Sequence, residues 1–405
     1  MASALDGIVV LDLTETSWAG LGVALLADFG ADVVRVDELP RPAREGREGL
    51  PDGPPRHVAS PWNFDADLAQ RNKRSVALDL SRAEGREILE GLVRRADVVA
   101  VDRPLRALEE RSWDADALTA LRPGLVVARA TGFGPNGPDR ELPALDELAA
   151  ARTGMMPILP QPGQPPVYPG HGSMYSAVML ALGVCCALHH RAETGEGQVV
   201  DVSLFAGNMY GASLDLQAYL AMGGDRLCKP VARLDVGNPM SGSMYRTSDG
   251  RWVTLTMPDT DRWWPGFAPI VGLAPGDPRF DDHEKRCETH RAELVAHLEQ
   301  EFPKQSAAQW RAAFERQQLS ADVIEDYGYP ANDPQVARNR YVLDLEHPSL
   351  GPLRTLGFPI ALSECPARLD RLAPCAGQHG DDVLHGWLGL SQDRLAELRE
   401  QGVIG

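Results

Sequence analysis

Apolar and polar positions at the start of the chain form an apolar run, a helical stretch and a second apolar run. The runs at residues 5–13 and 31–36 are rich in valine and isoleucine, whereas residues 19–30 are typical of a helix. Strand, helix and strand at this spacing predict a βαβ unit and a parallel sheet with right-handed crossovers. Further apolar runs at residues 96–101 and 125–130 predict more buried strands. We therefore predict an α/β domain here.

A longer apolar stretch follows a loop rich in proline and glycine at residues 165–172. Ser173 is predicted to cap the helix that begins there, because a serine hydroxyl can satisfy a free amide of the first turn. Residues 174–188 are apolar on nearly every side, but a membrane span needs roughly 18 or more apolar residues. We therefore expect this helix to be buried inside the protein.

The start of this helix is where we expect chemistry. A helix N-terminus carries partial positive charge and free N–H groups, so it favours anions. His171, flanked by Gly170 and Gly172, is the only histidine of the loop and is a candidate base. For both His171 and Ser173, a direct part in catalysis and a purely structural role remain open.

A basic cluster lies directly before the apolar run at residues 75–80. It consists of Gln70, Arg71, Asn72, Lys73 and Arg74. A solvated loop and an anion-binding site are both compatible with this pattern.

The sequence pattern changes in the second half of the chain. Residues 245–256 predict a β-hairpin with an Asp-Gly turn, and amphipathic helices follow between residues 293 and 314. Residues 40–57 have no periodicity and are predicted to be a surface loop. We predict a large domain over residues 1–225, a small α+β domain over 226–330 and a C-terminal segment over 331–405.

Charge and cysteine content exclude several classes of function. With 40 basic and 57 acidic residues, the 405-residue chain has a formal net charge of −17. This charge argues against nucleic acid or an anionic membrane as a partner, because both need a basic face. The first residues do not resemble a signal peptide, so we expect a cytoplasmic protein. The six scattered cysteines predict free thiols, no metal site, and core packing for Cys185 and Cys186.

Short motifs along nearly the whole chain resemble family III CoA-transferases in their order and spacing. They lie at residues 5–13, 26–34, 72–80, 96–99, 132–134, 191–204, 333–335 and 373–379. This family includes formyl-CoA transferase, carnitine CoA-transferase and α-methylacyl-CoA racemase. The resemblance implies a Rossmann-like large domain, which the C-terminal segment rejoins, a small α+β domain and an interlocked homodimer.

The resemblance also implies a substrate and a type of chemistry. Members bind an acyl-CoA, so coenzyme A or an acyl-CoA is expected as substrate and no metal is expected. In the transferases, an aspartate attacks the thioester to form a mixed anhydride and then an enzyme-bound CoA thioester. In the racemase, a histidine and an aspartate move a proton instead.

Carried over position by position, the catalytic residues of the family are altered in this chain. The transferase aspartate falls on Ser173, and the racemase histidine falls on Leu145, directly before the retained Asp146. Asp259 stands where the racemase has a glutamate near its proton-transfer site. The usual nucleophile is therefore expected to be replaced.

The CoA-binding positions are only partly retained. The cluster at residues 70–74 would meet nucleotide phosphates, and Arg103 lies in a shortened version of a stretch that lines the CoA pocket. The arginine that usually follows the second strand is replaced by Glu38 or Leu39, which would repel or ignore a phosphate.

Three functions are compatible with these residues. The first is transfer chemistry on an acyl-CoA or carboxylic acid, altered by Ser173, with His171 as its activating base. The second is a racemase or isomerase that uses Asp146, His171 or Asp259. The third is a non-catalytic partner subunit of a heteromeric CoA-transferase. The first function is the prediction that the chain favours.

Overall fold

The computed structural model describes residues 3–39, 63–223 and 229–405, so the loop predicted at residues 40–57 lies outside the described residues. The chain divides into two compact units. The first unit contains residues 1–156, 168–223 and 337–405, and the second contains residues 157–167 and 224–336.

The first unit is built on a parallel sheet, as the apolar runs predict. In the described residues its strands are β1 (Val9–Asp12), β2 (Asp32–Glu38), β3 (Arg74–Leu78), β4 (Val98–Val101), β5 (Val126–Thr131) and β6 (Val199–Ser203). Their order is β3-β2-β1-β4-β5-β6, and every neighbouring pair is parallel. The order reverses between β1 and β4, and ligands of such sheets bind at the carboxyl ends of the strands beside that point.

Helices cover both faces of this sheet. Those before residue 223 are α1 (Ser17–Asp28), α2 (Phe64–Gln70), α3 (Ala83–Arg95), α4 (Leu105–Arg111), α5 (Ala115–Leu121), α6 (Asp146–Ala150), α7 (Gly172–Thr194), α8 (Leu204–Gly211) and α9 (Ser213–Met222). One core contains Leu11 and Leu92, and the other contains Val10 and Leu180, because side chains of β1 alternate between the two faces. The predicted Rossmann-like α/β fold is therefore confirmed.

The second unit has an antiparallel sheet of β7 (Ser241–Arg246), β8 (Trp252–Thr256) and β9 (Ala321–Ile324). The predicted hairpin is confirmed, and Gly250 adopts φ +80° in its turn. The helices here are α10 (Thr260–Ile270), α11 (Arg291–Glu301), α12 (Ala307–Arg316) and α13 (Gly328–Asn332), with a π-helical turn at Lys285–Thr289 and a 3₁₀ turn at Phe302–Lys304.

The C-terminal part of the chain contributes to the first unit beside β3. Its elements are α14 (Pro334–Arg338), β10 (Val342–His347), β11 (Gly351–Leu356), α15 (Gly380–Leu388) and α16 (Gln392–Glu400), of which α14 begins in the second unit. The amide of Gly405 donates to the carbonyl of Ala77, and the amide of Asp79 donates to the carbonyl of Val403. The end of the chain thus pairs with β3.

Helix α7 differs from its prediction. Its buried positions, which include Ala177, Leu180 and Val184, form one stripe that packs against α1 and α8. The opposite side is open, and Leu182 is 61% exposed. The predicted burial on all sides is wrong because only one stripe of the helix packs in this chain. By length and composition alone, α7 also passes as a membrane span. Core packing of Cys185 and Cys186 is wrong for the same reason, since both are exposed.

Candidate active site

The first turn of α7 is the centre of the candidate site. The helix begins at Gly172, so Ser173 is its second residue and the predicted N-cap role of Ser173 is wrong. His171 occupies the cap position, and its side chain makes no capping hydrogen bond within the described part of the chain. Ser173 is half-buried, and its hydroxyl does not cap the helix. The amides of Gly172 and Ser173 lie in the first turn, where N–H groups have no acceptor within the helix, so both can donate to an anion.

A close contact with α8 determines where α7 begins. A Cβ atom on Gly172 would overlap the side chain of Asn208, so glycine is required at this position. Ser176 donates its hydroxyl to the carbonyl of Gly172 at 2.9 Å. Asn208 in turn donates Nδ2 to the carbonyl of Leu204 at 2.9 Å. The start of α7 is therefore held against a fixed neighbour.

Asp146 joins this cluster through two donors. Asn208 Nδ2 donates to Asp146 Oδ1 at 2.7 Å, and the hydroxyl of Tyr168 donates to Asp146 Oδ2 at 2.5 Å. Burial, and then the hydrogen bond to Asp146, raise the pKa of Tyr168 above its ordinary value, so the phenol stays protonated at neutral pH. Sequence reasoning missed Tyr168 and Asn208. Tyr168 lies in the predicted loop only three residues before His171, which was the one signal that pointed to it.

The remaining predicted catalytic residues have simpler surroundings. The ring of His171 is exposed, and none of the described residues is its hydrogen-bond partner. Asp259 caps α10, where its Oδ1 accepts from the amide of Arg262 at 3.4 Å. Asp259 belongs to the second unit, whereas Ser173, His171 and Asp146 belong to the first.

Lys73 is the most deeply buried member of the basic cluster, and its side chain has no exposed surface. Its Nζ donates to Asp12 Oδ2 at 2.6 Å, to the carbonyl of Gly20 at 2.8 Å and to Gln70 Oε1 at 2.9 Å. Burial lowers the pKa of Lys73, against the attraction of Asp12. All three N–H groups are used within the fold, so the ammonium has none left for a phosphate.

Arg71, Asn72 and Arg74 are also paired within the fold. Arg71 Nη2 lies 2.6 Å from Asp28 Oδ2, and Asn72 Nδ2 donates to Asp28 Oδ1 at 2.8 Å. Arg74 Nη2 lies 2.6 Å from Asp32 Oδ2. These side chains stabilise the start of β3, and a role for residues 70–74 in binding CoA stays a prediction.

A cavity of about 390 Å³ opens at the carboxyl ends of β1, β2 and β4. We call it the switch-point cavity. It is lined by Leu13, Thr14, Glu15, Arg35, Val36, Asp37, Glu38, Leu39, Leu80, Arg103 and Trp113. Arg103 Nη2 lies 2.7 Å from Glu15 Oε1 and 2.6 Å from Glu38 Oε2. Its size suits part of a ligand such as a nucleotide, and its place is the one expected for a doubly wound sheet.

A metal centre is not indicated by the described side chains. None of the groups of His, Cys, Asp and Glu within residues 3–39, 63–223 and 229–405 could hold a metal ion.

Comparison with known proteins gives a consistent assignment. Residues 5–380 match the family model described as CoA-transferase family III. The chain is 30% identical to a succinyl-CoA–D-citramalate CoA-transferase of Chloroflexus aurantiacus, with 99% of this chain and 98% of the relative covered. It is 27% identical to a cinnamoyl-CoA:phenyllactate CoA-transferase of Clostridium sporogenes, with 98% and 96% covered.

The fold agrees with this assignment. A crystal structure of a CAIB/BAIF family protein from Brucella suis superposes with a TM-score of 0.79 at 26% identity, covering 96% of this chain and all of that one. The match of the family model along almost the entire chain shows that this protein belongs to CoA-transferase family III.

Proposed function

We propose that the protein transfers coenzyme A from an acyl-CoA to a carboxylic acid. The observation that carries this proposal is the family match over residues 5–380, together with two similar relatives that are both named as CoA-transferases. The racemase and partner-subunit alternatives lack such support, since neither relative is named as an isomerase or a subunit.

The chemistry has to accommodate Ser173 where the resemblance implies an aspartate. An acyl ester of Ser173 would be less activated than an anhydride, so thiolate attack to regenerate a thioester would be unfavourable. Direct attack by the acceptor acid avoids this difficulty. Its carboxylate forms a C–O bond to the acyl carbon as the C–S bond breaks, giving a mixed anhydride and the CoA thiolate.

The second half of the reaction returns CoA to the acceptor. The thiolate attacks the acceptor's carbonyl carbon, and the C–O bond on that side of the anhydride breaks. The released donor acid keeps the oxygen atom that the acceptor supplied. In this route the first turn of α7 and the Ser173 hydroxyl hold the acceptor carboxylate, which takes the place of the missing enzyme carboxylate.

The surroundings of Ser173 support this role. Ser173 is half-buried, its hydroxyl does not cap the helix, and the amides of Gly172 and Ser173 have no intrahelical acceptor. Asp146 accepts hydrogen bonds from Asn208 and Tyr168, which satisfy both of its oxygens.

The test is a direct assay of transfer. Purified protein is incubated with a panel of acyl-CoA donors, succinyl-CoA among them, and of 2-hydroxy and aryl carboxylic acids, and new CoA thioesters are identified by mass spectrometry. We expect at least one donor and acceptor pair to exchange CoA. Absence of exchange across the panel, with an active family relative as positive control, would reject the proposal.

A homodimer is part of the proposal. Apolar side chains of three successive helices of the first unit are exposed, with Leu182 of α7 at 61%, Tyr210 of α8 at 71% and Leu214 of α9 at 86%. A second copy of the chain is the partner that would cover them. A cytoplasmic location is also proposed, since Cys185, Cys186, Cys287 and Cys365 are free thiols, as expected in a reducing compartment.

A further inference from the structure

The Asp146 carboxylate lies beside the first turn of α7. Asn208 Nδ2 donates to Asp146 Oδ1 at 2.7 Å, and a Cβ atom on Gly172 would lie 2.0 Å from the same Nδ2. A single amide group therefore separates Asp146 from the residue at which α7 begins. An acid whose carboxylate is bound at this turn has its neighbouring carbon atom close to Asp146.

Tyr168 contacts the other oxygen of this carboxylate. Its hydroxyl donates to Asp146 Oδ2 at 2.5 Å, and a Cβ atom on Gly170 would lie 3.8 Å from its ring. The ring therefore lies alongside the loop that leads into α7. Because burial and the hydrogen bond to Asp146 raise the pKa of Tyr168, the phenol keeps its proton and remains a donor to Asp146 at neutral pH.

The Asp146 carboxylate can accept a further hydrogen bond. Each carboxylate oxygen has two lone pairs, and Asn208 and Tyr168 use one on each oxygen. Asp146 is only half-buried and Tyr168 is 39% exposed, so a ligand can reach this pair from solvent. A ligand hydroxyl can donate to Asp146 there, whereas a second carboxylate would meet a group of the same charge.

A buried donor without an acceptor also points to a ligand at this turn. Trp18 is 5% exposed, and its Nε1 has no hydrogen-bond partner among the described residues. Helices α1 and α7 both run back from the carboxyl edge of the parallel sheet, and a Cβ atom on Gly22 would lie 2.8 Å from the carbonyl oxygen of Ala177. Trp18 and Ser173 each precede those residues by one turn, so they lie at the same level of the helix pair. A ligand oxygen at this turn would give the indole N–H an acceptor.

We propose that the acceptor is a 2-hydroxy carboxylic acid, whose hydroxyl donates to Asp146 while its carboxylate lies at the first turn of α7. This inference rests on the proposed function, because it names the class of acceptor at the same site. A hydrogen bond to a carboxylate is stronger than one between neutral groups, so the hydroxyl contributes to recognition. Oxalate has a second carboxylate in place of the hydroxyl and would be repelled.

The test is a competition between two acids that differ only in this hydroxyl. The wild-type protein is incubated with succinyl-CoA, or with another donor that the transfer assay identifies, and with equal concentrations of racemic lactate and propionate. Mass spectrometry quantifies the two product thioesters, and the measurement is repeated with racemic 3-phenyllactate and 3-phenylpropionate. In each pair that reacts, we expect about tenfold or more of the 2-hydroxyacyl-CoA, because one hydrogen bond to a charged group is gained.

Asp146→Asn should reduce this preference to less than about threefold. The amide oxygen of the new side chain can still accept from Asn208, so its N–H group takes the place of the oxygen to which the hydroxyl donates. Tyr168→Phe leaves the Asp146 carboxylate in place and should keep a preference of about tenfold. Asp344→Asn is the matched control, since Asp344 is 91% exposed beside Arg354 on β10, and it should keep the wild-type ratio.

The remaining outcomes separate this inference from the proposed function. If the two acids of a pair react equally, if oxalate outcompetes lactate, or if the acids that accept CoA carry no 2-hydroxyl, the inference is wrong while CoA transfer stands. Loss of the preference in Tyr168→Phe but not in Asp146→Asn would also overturn it. If no acid accepts CoA, both proposals are wrong. The wild-type ratio decides the matter even where Asp146→Asn does not fold.

Discussion

At the scale of single residues, Gly172 and Ser173 have different roles. Gly172 lies against Asn208, and its lack of a side chain allows α7 to start where it does. Ser173 follows it, is half-buried, and has a hydroxyl that does not cap the helix. Substitution of Gly172 should therefore affect folding, and substitution of Ser173 should affect the reaction.

Gly172→Ala is expected to destabilise the protein by about 1–3 kcal/mol, because the new methyl group overlaps Asn208 and forces α7 and α8 apart. Gly386→Ala is the matched control, since Gly386 is also helical and a Cβ atom there meets nothing within 4 Å. The control should be neutral or stabilising by up to about 1 kcal/mol. Urea unfolding measures both, and equal stability of the two variants would refute the contact.

Ser173→Ala is expected to lower kcat/KM for transfer by about tenfold to a hundredfold, because one donor to the bound carboxylate is lost. Ser248→Ala, at an exposed position of the second unit, should leave the rate unchanged. Ser173→Asp restores a carboxylate and should change the two-substrate kinetics from a ternary-complex pattern to a ping-pong pattern. Full activity of Ser173→Ala would show that the Ser173 hydroxyl does not take part in transfer.

At the scale of elements, the buried Lys73–Asp12 pair joins β1 to the residues that precede β3. Both side chains have no exposed surface, and the Lys73 ammonium also reaches α1 through Gly20 and the end of α2 through Gln70. Breaking such a pair leaves the partner charge buried and uncompensated.

Lys73→Met should therefore destabilise the protein by about 3–5 kcal/mol, since Asp12 loses its only buried cation partner among the described residues. Lys304→Met is the control, because Lys304 is 61% exposed and its ion pair with Glu301 should contribute at most about 1 kcal/mol. Both values come from urea unfolding. A loss below about 1 kcal/mol for Lys73→Met would show that this pair does not hold the elements together.

The parallel sheet could be predicted from the sequence, but the ion-pair partners of the basic cluster at residues 70–74 could not. Apolar runs such as residues 96–101 fit only buried strands, whereas the partners of Lys73 and Arg71 are Asp12 and Asp28, at least 43 positions away. No local pattern connects such distant charges. The contact between Tyr168 and Asp146 is hidden in the same way, because they are 22 positions apart and meet only when α6 packs near α7.

At the scale of the whole molecule, helix α7 shows a second limit of sequence reasoning. An apolar helix inside one chain and an apolar helix between two chains have the same composition, so residues 174–188 could not distinguish them. The exposed apolar side chains of α7, α8 and α9 instead support the proposed homodimer.

Leu214→Glu, at a position that is 86% exposed in the single chain, should convert the dimer to a monomer. A buried, unpaired carboxylate at the interface should raise the dimer dissociation constant by about 100-fold or more. Leu159→Glu, at an exposed leucine of the second unit, should leave the dimer intact. Light scattering after size-exclusion chromatography distinguishes these outcomes, and a wild-type monomer would contradict the homodimer.

In the proposed reaction, an acceptor carboxylate takes CoA through an anhydride with the donor acyl group. Its most direct test uses an acceptor acid labelled with ¹⁸O in its carboxylate, with the released donor acid analysed by mass spectrometry after a single turnover. We predict one ¹⁸O atom in the released acid, because the acceptor's oxygen stays on the donor acyl group when the anhydride is cleaved. Released acid whose new oxygen comes only from water would contradict the account, since it would show hydrolysis rather than transfer.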